Sequence, residues 1–113
     1  MHEYSIVQSL VDRVDTEVKT RGATRVHSLS ISIGELSGVD PDLLGTAYKT
    51  FRERTICADA ELYLTIVPAL WICERCGQRI GQGSVLRCDL CGSPARLAEG
   101  DEIMLDRIEM EVP

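Results

Sequence analysis

The chain has 113 residues, 44% apolar and 27% charged, with twelve basic against eighteen acidic side chains and a net charge of −6. One domain's length with that apolar share supports one modest core, which excludes wholesale disorder. Aromatics at 4% make the core an aliphatic one, and no apolar stretch approaches the ~18 residues of a membrane span.

The first helix is signalled by Val7, Leu10, Val11, Val14 and Val18, which recur at helical spacing and form one apolar stripe. Asp15 with Lys19 and Glu17 with Arg21 are i,i+4 pairs in the favoured order, and Gly22 is a natural stop. Two starts fit: a capping box at Ser5-Ile6-Val7-Gln8, leaving residues 1–4 as a free leader, or a start at Glu3. Leu29, Ile31 and Ile33 then alternate with Ser28, Ser30 and Ser32 in a half-buried strand beginning near Arg25. After the loop Gly34–Gly38, Asp40-Pro41-Asp42 reads as N-cap, first helical position and acidic first turn. Leu44, Ala47, Tyr48 and Phe51 give a second helical stripe, predicted to end near Thr55. Leu62, Leu64 and Ile66 alternate in a second strand closed by Pro68. Ile108, Met110 and Val112 alternate in a last strand, and Ile103 and Leu105 lie on the other parity, which places a bulge near Asp106.

Between those last two strands sit four of the five cysteines, in two Cys-x-x-Cys-Gly units: Cys73 with Cys76, and Cys88 with Cys91. The fold class is therefore α+β: two helices on a three-stranded sheet, with an inserted four-cysteine zinc-ribbon-like module. Residues 1–69 are expected to form the first part of the α+β domain, 70–96 the zinc-binding module, and 97–113 the returning strand. Charge follows the same blocks: −3 over residues 1–72, +2 over 73–96 and −5 over 97–113.

In a reducing compartment two such pairs read as a metal site before a disulfide framework. Four thiolates suit a tetrahedral all-sulfur site, and each trailing glycine, Gly77 and Gly92, provides the positive φ that a tight knuckle needs. Zinc closes such a site without redox chemistry. Rubredoxin-like iron has the same ligand set, and a thioredoxin-like redox pair is a third reading that the doubled motif disfavours. The site has no open position, so its role is structural or that of an interaction arm. Nucleic-acid binding draws on Arg75, Arg79, Arg87 and Arg96. Zinc with four thiolates carries −2, however, and cancels the local charge, while stacking aromatics are nearly absent, so no nucleic-acid partner is expected.

Residues 1–3 are the second place of interest. The Met1 α-amine, the His2 backbone nitrogen and the His2 imidazole are three nitrogens in a row that close adjacent small chelate rings, and the Glu3 backbone nitrogen can add a fourth donor. A nitrogen-rich, near-planar set suits Ni(II) or Cu(II). The amine, ordinarily near ~7.7–8.0, and the imidazole, near ~6.5, must both be deprotonated, so binding weakens as pH falls. The plain alternative is a frayed, solvated terminus in which Glu3 favours the positive end of the first helix.

Taken end to end, the sequence resembles the HypA/HybF family of hydrogenase maturation factors, which are nickel metallochaperones. Met1-His2-Glu3, Ile33-Gly34-Glu35-Leu36-Ser37-Gly38-Val39, Pro41 with Leu44, Ala60-Glu61-Leu62, both knuckles, Gly100-Asp101-Glu102-Ile103 and Ile108-Glu109 carry the resemblance. It implies Ni²⁺ as transferred cargo at His2, with Met1 and Glu3 nearby, which makes 1–69 a nickel-binding unit. It also implies structural Zn²⁺ on Cys73, Cys76, Cys88 and Cys91. The implied partners are the maturation GTPase HypB, the large-subunit precursor of a [NiFe] hydrogenase and, for some members, urease maturation factors. Asp89 stands where proline is frequent in the family, and Cys57 lies outside its pattern.

Other residues have plainer readings. His27 shares the parity of Leu29, Ile31 and Ile33 and reads as a core or edge histidine, with a ligand role the minor alternative. Asp40 is an N-cap, with nickel ligation a minor alternative. Glu35 is either a partner contact or a solvated loop carboxylate, and Cys57 is a small buried side chain, with an inter-chain disulfide the lesser alternative. The acidic stretch Glu99–Glu111 is a solvated strand face or a docking surface for a basic partner. There is no serine–histidine–acid set, phosphate loop or paired-carboxylate motif, so no catalytic residue is named and no enzyme is expected. The N-terminus also lacks the basic start and apolar run of a secretory signal, which points to a cytoplasmic protein and away from any membrane partner. The competing reading is a zinc-ribbon module that binds protein or nucleic acid without transferring metal.

Overall fold

The computed structural model describes residues 3–81 and 86–113. Helix α1 runs Glu3–Arg21 and buries the whole stripe Val7, Leu10, Val11, Val14 and Val18. It takes the earlier of the two starts, so Glu3 and Tyr4 belong to the helix and not to a leader. Tyr4 is held by an edge-to-face contact with Phe51, centroids 5.4 Å apart. Both surface pairs form, Asp15–Lys19 at 2.9 Å and Glu17–Arg21 at 3.2 Å. The Ala23 N–H closes the helix end on the Val18 carbonyl.

Strand β1 covers Arg25–Gly34 and helix α2 Pro41–Phe51. Asp40 caps α2, its carboxylate accepting from the N–H groups of Asp42 at 2.9 Å and Leu43 at 3.2 Å. The helix stops at Phe51, short of the Thr55 predicted from its apolar stripe. Arg54 takes a left-handed φ of 64°. The Thr55 hydroxyl bonds the Arg52 carbonyl and accepts the Cys57 N–H, offering the chain a turn in place of another helical rise. These turns bury Cys57 and bring Ala60 to Tyr48, whose hydroxyl donates to the Ala60 carbonyl at 2.9 Å; Arg52 donates to the same oxygen at 2.8 Å.

Strand β2, Glu61–Val67, pairs parallel to β1, as a helix crossover between them requires. The short strands β3 (Leu70–Cys73), β4 (Arg79–Ile80) and β5 (Ala95–Glu99) follow, then β6 (Ile103–Glu111), antiparallel to β1. The main sheet has the order β2-β1-β6. Its inner face carries Leu29, Ile31 and Ile33 at or below 1% exposure, with Leu62, Leu64, Ile103, Leu105, Ile108 and Met110 packed around the same core. The bulge near Asp106 is present: Ser30 pairs with Arg107 and Ile31 with Leu105, so Asp106 is passed over and both apolar parities of β6 reach the core. A second register shift, unforeseen, lies between Val26 and Ser28. It turns Val26 inward and corrects the reading of His27, which is exposed and pairs with Glu111 at 2.9 Å.

The second sheet has the order β4-β3-β5 and, among the described residues, a very small core of Cys73, Ile80 and Cys88, with Trp71 and Ala95 against it. The molecule measures 55 × 28 × 17 Å with a radius of gyration of 17.9 Å. A single ball of this length would have ~13 Å, so the second sheet projects from the first.

Candidate metal centre

The four cysteines reach one point from two knuckles with the same hydrogen-bond plan. In the first, the Cys73 N–H donates to Gln78 at 2.8 Å and the Gly77 N–H to Cys73 at 3.0 Å. In the second, the Cys88 N–H donates to Ser93 and the Gly92 N–H to Cys88, both at 2.9 Å. Gly77 at φ 75° and Gly92 at φ 70° provide the left-handed residue that each turn demands. The first cysteine of each knuckle, Cys73 and Cys88, is buried, and the second, Cys76 and Cys91, faces outward.

All four Sγ atoms lie within 4.8 Å of one another, with Cys73–Cys91 at 3.3 Å and Cys76–Cys88 at 3.7 Å. Zinc–sulfur bonds of ~2.3 Å in a tetrahedron put sulfurs ~3.8 Å apart, inside the observed spread. Disulfide sulfurs sit at ~2.05 Å, which these distances exclude. The donor set therefore fits Zn²⁺ bound by four thiolates.

Without the cation the thiols divide their protons unequally. The Cys76 N–H, donating to Cys73 Sγ at 3.4 Å, holds Cys73 below the ordinary thiol value. The Ser93 hydroxyl, helped by its backbone N–H, brings Cys91 down to about 6. For Cys76, the Gln78 N–H works to lower the value, but the neighbouring thiol of Cys73, desolvation and the remaining sulfurs outweigh it and push the thiol up to about 11. A divalent cation relieves that crowding by replacing protons, which makes metal uptake proton-releasing.

The other candidate ligands lie at the opposite end of the chain. Met1 and His2 are outside the described residues. Glu3 is in the first turn of α1, nearly buried at 9% exposure, and its carboxylate accepts from the Asp40 N–H at 3.2 Å. That bond, followed by the one from its own N–H, sets its pKa below the usual 4.5. Asp40 supports this arrangement through its backbone and uses its side chain to cap α2. Glu35, read as a partner contact or a free carboxylate, instead accepts from the Ala69 N–H at 2.8 Å.

A family model described as "Hydrogenase/urease nickel incorporation, metallochaperone, hypA" matches residues 1–110. The chain belongs to the HypA family. The hydrogenase maturation factor HypA of Shewanella oneidensis is 39% identical over 114 residues, covering 98% of this chain and 96% of that protein. HypA of Aquifex aeolicus is 37% identical over 114 residues, covering 99% of each. The solution structure of the Ni metallochaperone HypA from Helicobacter pylori superposes with a TM-score of 0.75 at 30% identity, over 100% of each chain. A second solution structure of a HypA protein gives 0.82 at 30% identity, over 100% of this chain and 98% of the other. As a HypA member the chain is a nickel metallochaperone of hydrogenase maturation, with a four-cysteine site that fits structural zinc and with nickel as its cargo.

Proposed function

We propose that this HypA chain takes up Ni²⁺ through the Met1 amine, the His2 amide and imidazole and Glu3, while Cys73, Cys76, Cys88 and Cys91 hold Zn²⁺ permanently. The observation that carries the reading is Glu3. It is a carboxylate kept ionised by the Asp40 N–H, fixed in the first turn of α1 and adjacent in sequence to His2. Nitrogen donors with a carboxylate suit Ni²⁺, whereas the thiolate cluster suits zinc, so the two metals are sorted by ligand type.

The nickel passes to the large-subunit precursor of a [NiFe] hydrogenase. The chain carries no phosphate-loop sequence, so nucleotide hydrolysis belongs to a partner, the GTPase HypB. Urease maturation factors are a second destination, in keeping with the family description. The work is non-enzymatic and takes place in the cytoplasm. Among the described residues no helix is long and apolar enough to cross a membrane.

A Ni²⁺ titration by calorimetry on zinc-loaded protein with a free, untagged Met1 tests this, beside His2→Ala and Glu3→Gln. Stoichiometric binding that His2→Ala abolishes with zinc content unchanged is expected. Binding indifferent to His2→Ala would overturn the terminal site and leave a zinc-ribbon interaction module as the better reading.

A further inference from the structure

Two chain crossings join the sheets. Pro68-Ala69 leads from β2 into β3, and the Gly100–Glu102 segment leads from β5 into β6. Both are gripped by the loop that leaves β1. The Gly34 N–H donates to Glu102 at 2.8 Å, the Glu35 N–H to Val67 at 2.8 Å and the Leu36 N–H to Gly100 at 2.7 Å. A Cβ on Gly34 would stand 2.3 Å from the Gly100 carbonyl, and one on Gly100 would stand 2.6 Å from the Ala69 Cα. Three backbones therefore meet with no room for a side chain between them. The fourth bond is the Glu35 carboxylate on the Ala69 N–H at 2.8 Å. Of the four, it alone reaches the segment that enters β3 directly. The backbone bonds hold the end of β2 and the second crossing.

The same loop is tied at its far end. The Ser37 hydroxyl accepts from the Val39 N–H, Val39 is buried in the main core, and the Asp40 N–H donates to the Glu3 carboxylate at 3.2 Å. Seven residues, Gly34 to Asp40, thus connect the root of the zinc sheet to the start of α1.

We infer that Glu35 is a positioning residue: its carboxylate fixes the four-cysteine sheet against the main sheet, and the loop Gly34–Asp40 carries that constraint to Glu3. The first half stands on the geometry alone. The second half rests on the nickel reading above, because it matters only if Glu3 lies beside the bound cation. A change at the clasp is then felt at Glu3 through a short, doubly anchored loop, with no contact between the metals.

Two readouts separate the halves. In ¹⁵N relaxation on zinc-loaded protein, amides of residues 70–81 and 86–99 are expected to tumble with those of 25–34 in the native chain. In Glu35→Ala they take a shorter correlation time, and Glu35→Gln, which keeps an acceptor oxygen, restores the native value. Gly34→Ala, which forces the backbones apart at a second point, gives the same decoupling. Unchanged tumbling in Glu35→Ala, with zinc and far-UV circular dichroism native, would overturn the clasp. For the second half, Ni²⁺ dissociation from Glu35→Ala is expected to quicken by roughly 3- to 10-fold, the effect of losing one ordinary, solvent-exposed hydrogen bond. Decoupled tumbling with a native nickel off-rate would overturn the link to Glu3. A native chain that binds no nickel at its terminus would overturn the nickel reading, and the relaxation result would still decide the clasp.

Discussion

Removing zinc is expected to unfold the second sheet while the first survives. Among the described residues the second sheet's buried core is Cys73, Ile80 and Cys88, so two of the three belong to the four-cysteine cluster that fits zinc. Without the cation only Ile80 among the described residues remains as a fully committed apolar side chain, and burying one isoleucine stabilises by about 1.5–3 kcal/mol. Structural zinc contributes an apparent ~10–16 kcal/mol at pH 7 in peptides of comparable size. The metal outweighs the apolar packing several-fold, and its loss also leaves crowded thiols where it sat. Among the described residues the main core has fourteen buried members, from α1, β1, the loop after it (Val39), α2 and the turns before β2, and none is a cysteine of the sulfur cluster. Chelation at elevated temperature, followed by ¹H–¹⁵N correlation spectra, reads both parts at once. Amides of 70–81 and 86–99 are expected to collapse to random-coil positions while those of 7–18, 25–34 and 103–111 hold, and re-adding zinc reverses the change. Native shifts for β3 and β5 in verified zinc-free protein would refute the reasoning, as would joint loss of both sheets.

Glu3→Gln is expected to weaken nickel binding while leaving zinc in place. Because the native carboxylate's pKa lies below 4.5, its bond to Asp40 persists above that pH and is lost only as acidity passes the folded value; a shift titration of the Asp40 amide shows it. Asp40→Ala removes the cap of α2 but keeps the N–H that Glu3 accepts, so it is expected to cost ~1 kcal/mol in urea unfolding and to spare the Glu3 contact. Burial, tempered by the Tyr48 hydroxyl beside it, pushes the Cys57 thiol from 9.0 up to about 11, and burial also raises Tyr48 above its usual 10.0. The folded state therefore holds protons that the unfolded chain gives up, and stability falls as pH rises from about 9 toward 11; Cys57→Ala removes the thiol's part of that decline. A mild chelator is expected to strip nickel far faster than zinc, read by metal analysis of the desalted protein.

The elements that announced themselves were those whose apolar side chains keep one period for several turns or pleats. Val7 to Val18 mark one face of α1, and Leu29, Ile31 and Ile33 mark one face of β1. The bulge at Asp106 was legible for the same reason: Ile103 and Leu105 disagree in parity with Ile108 and Met110, and both sets must reach one core. The matching irregularity at His27 left no such trace, because a lone Val26 cannot declare a parity. Strands β3, β4 and β5 are two to five residues long and stand on two knuckles, so metal geometry defines them and no periodic pattern does. The end of α2 was overestimated because a side-chain bond at Thr55 outcompetes a helix that the stripe alone would extend. The cysteine spacing named the sulfur site outright. The partners of Glu3 and Glu35 stayed hidden, since both are backbone N–H groups more than thirty residues away, and a backbone donor has no sequence signature.

The sulfur site and the proposed nickel site differ in how their donors are strung along the chain, and that difference bears on which metal leaves. The sulfur site draws two ligands from each of two knuckles twelve residues apart, each closed by its own pair of backbone bonds. Releasing zinc means parting the knuckles, and with them the sheet. The donors proposed for nickel are consecutive residues, and the one within the described structure, Glu3, is anchored by the Asp40 N–H, which needs no metal to form. On that proposal a cation can be displaced one donor at a time without breaking a bond that holds either core together. A carrier that must keep one metal and surrender another is best served by making the first part of its fold and the second incidental to it.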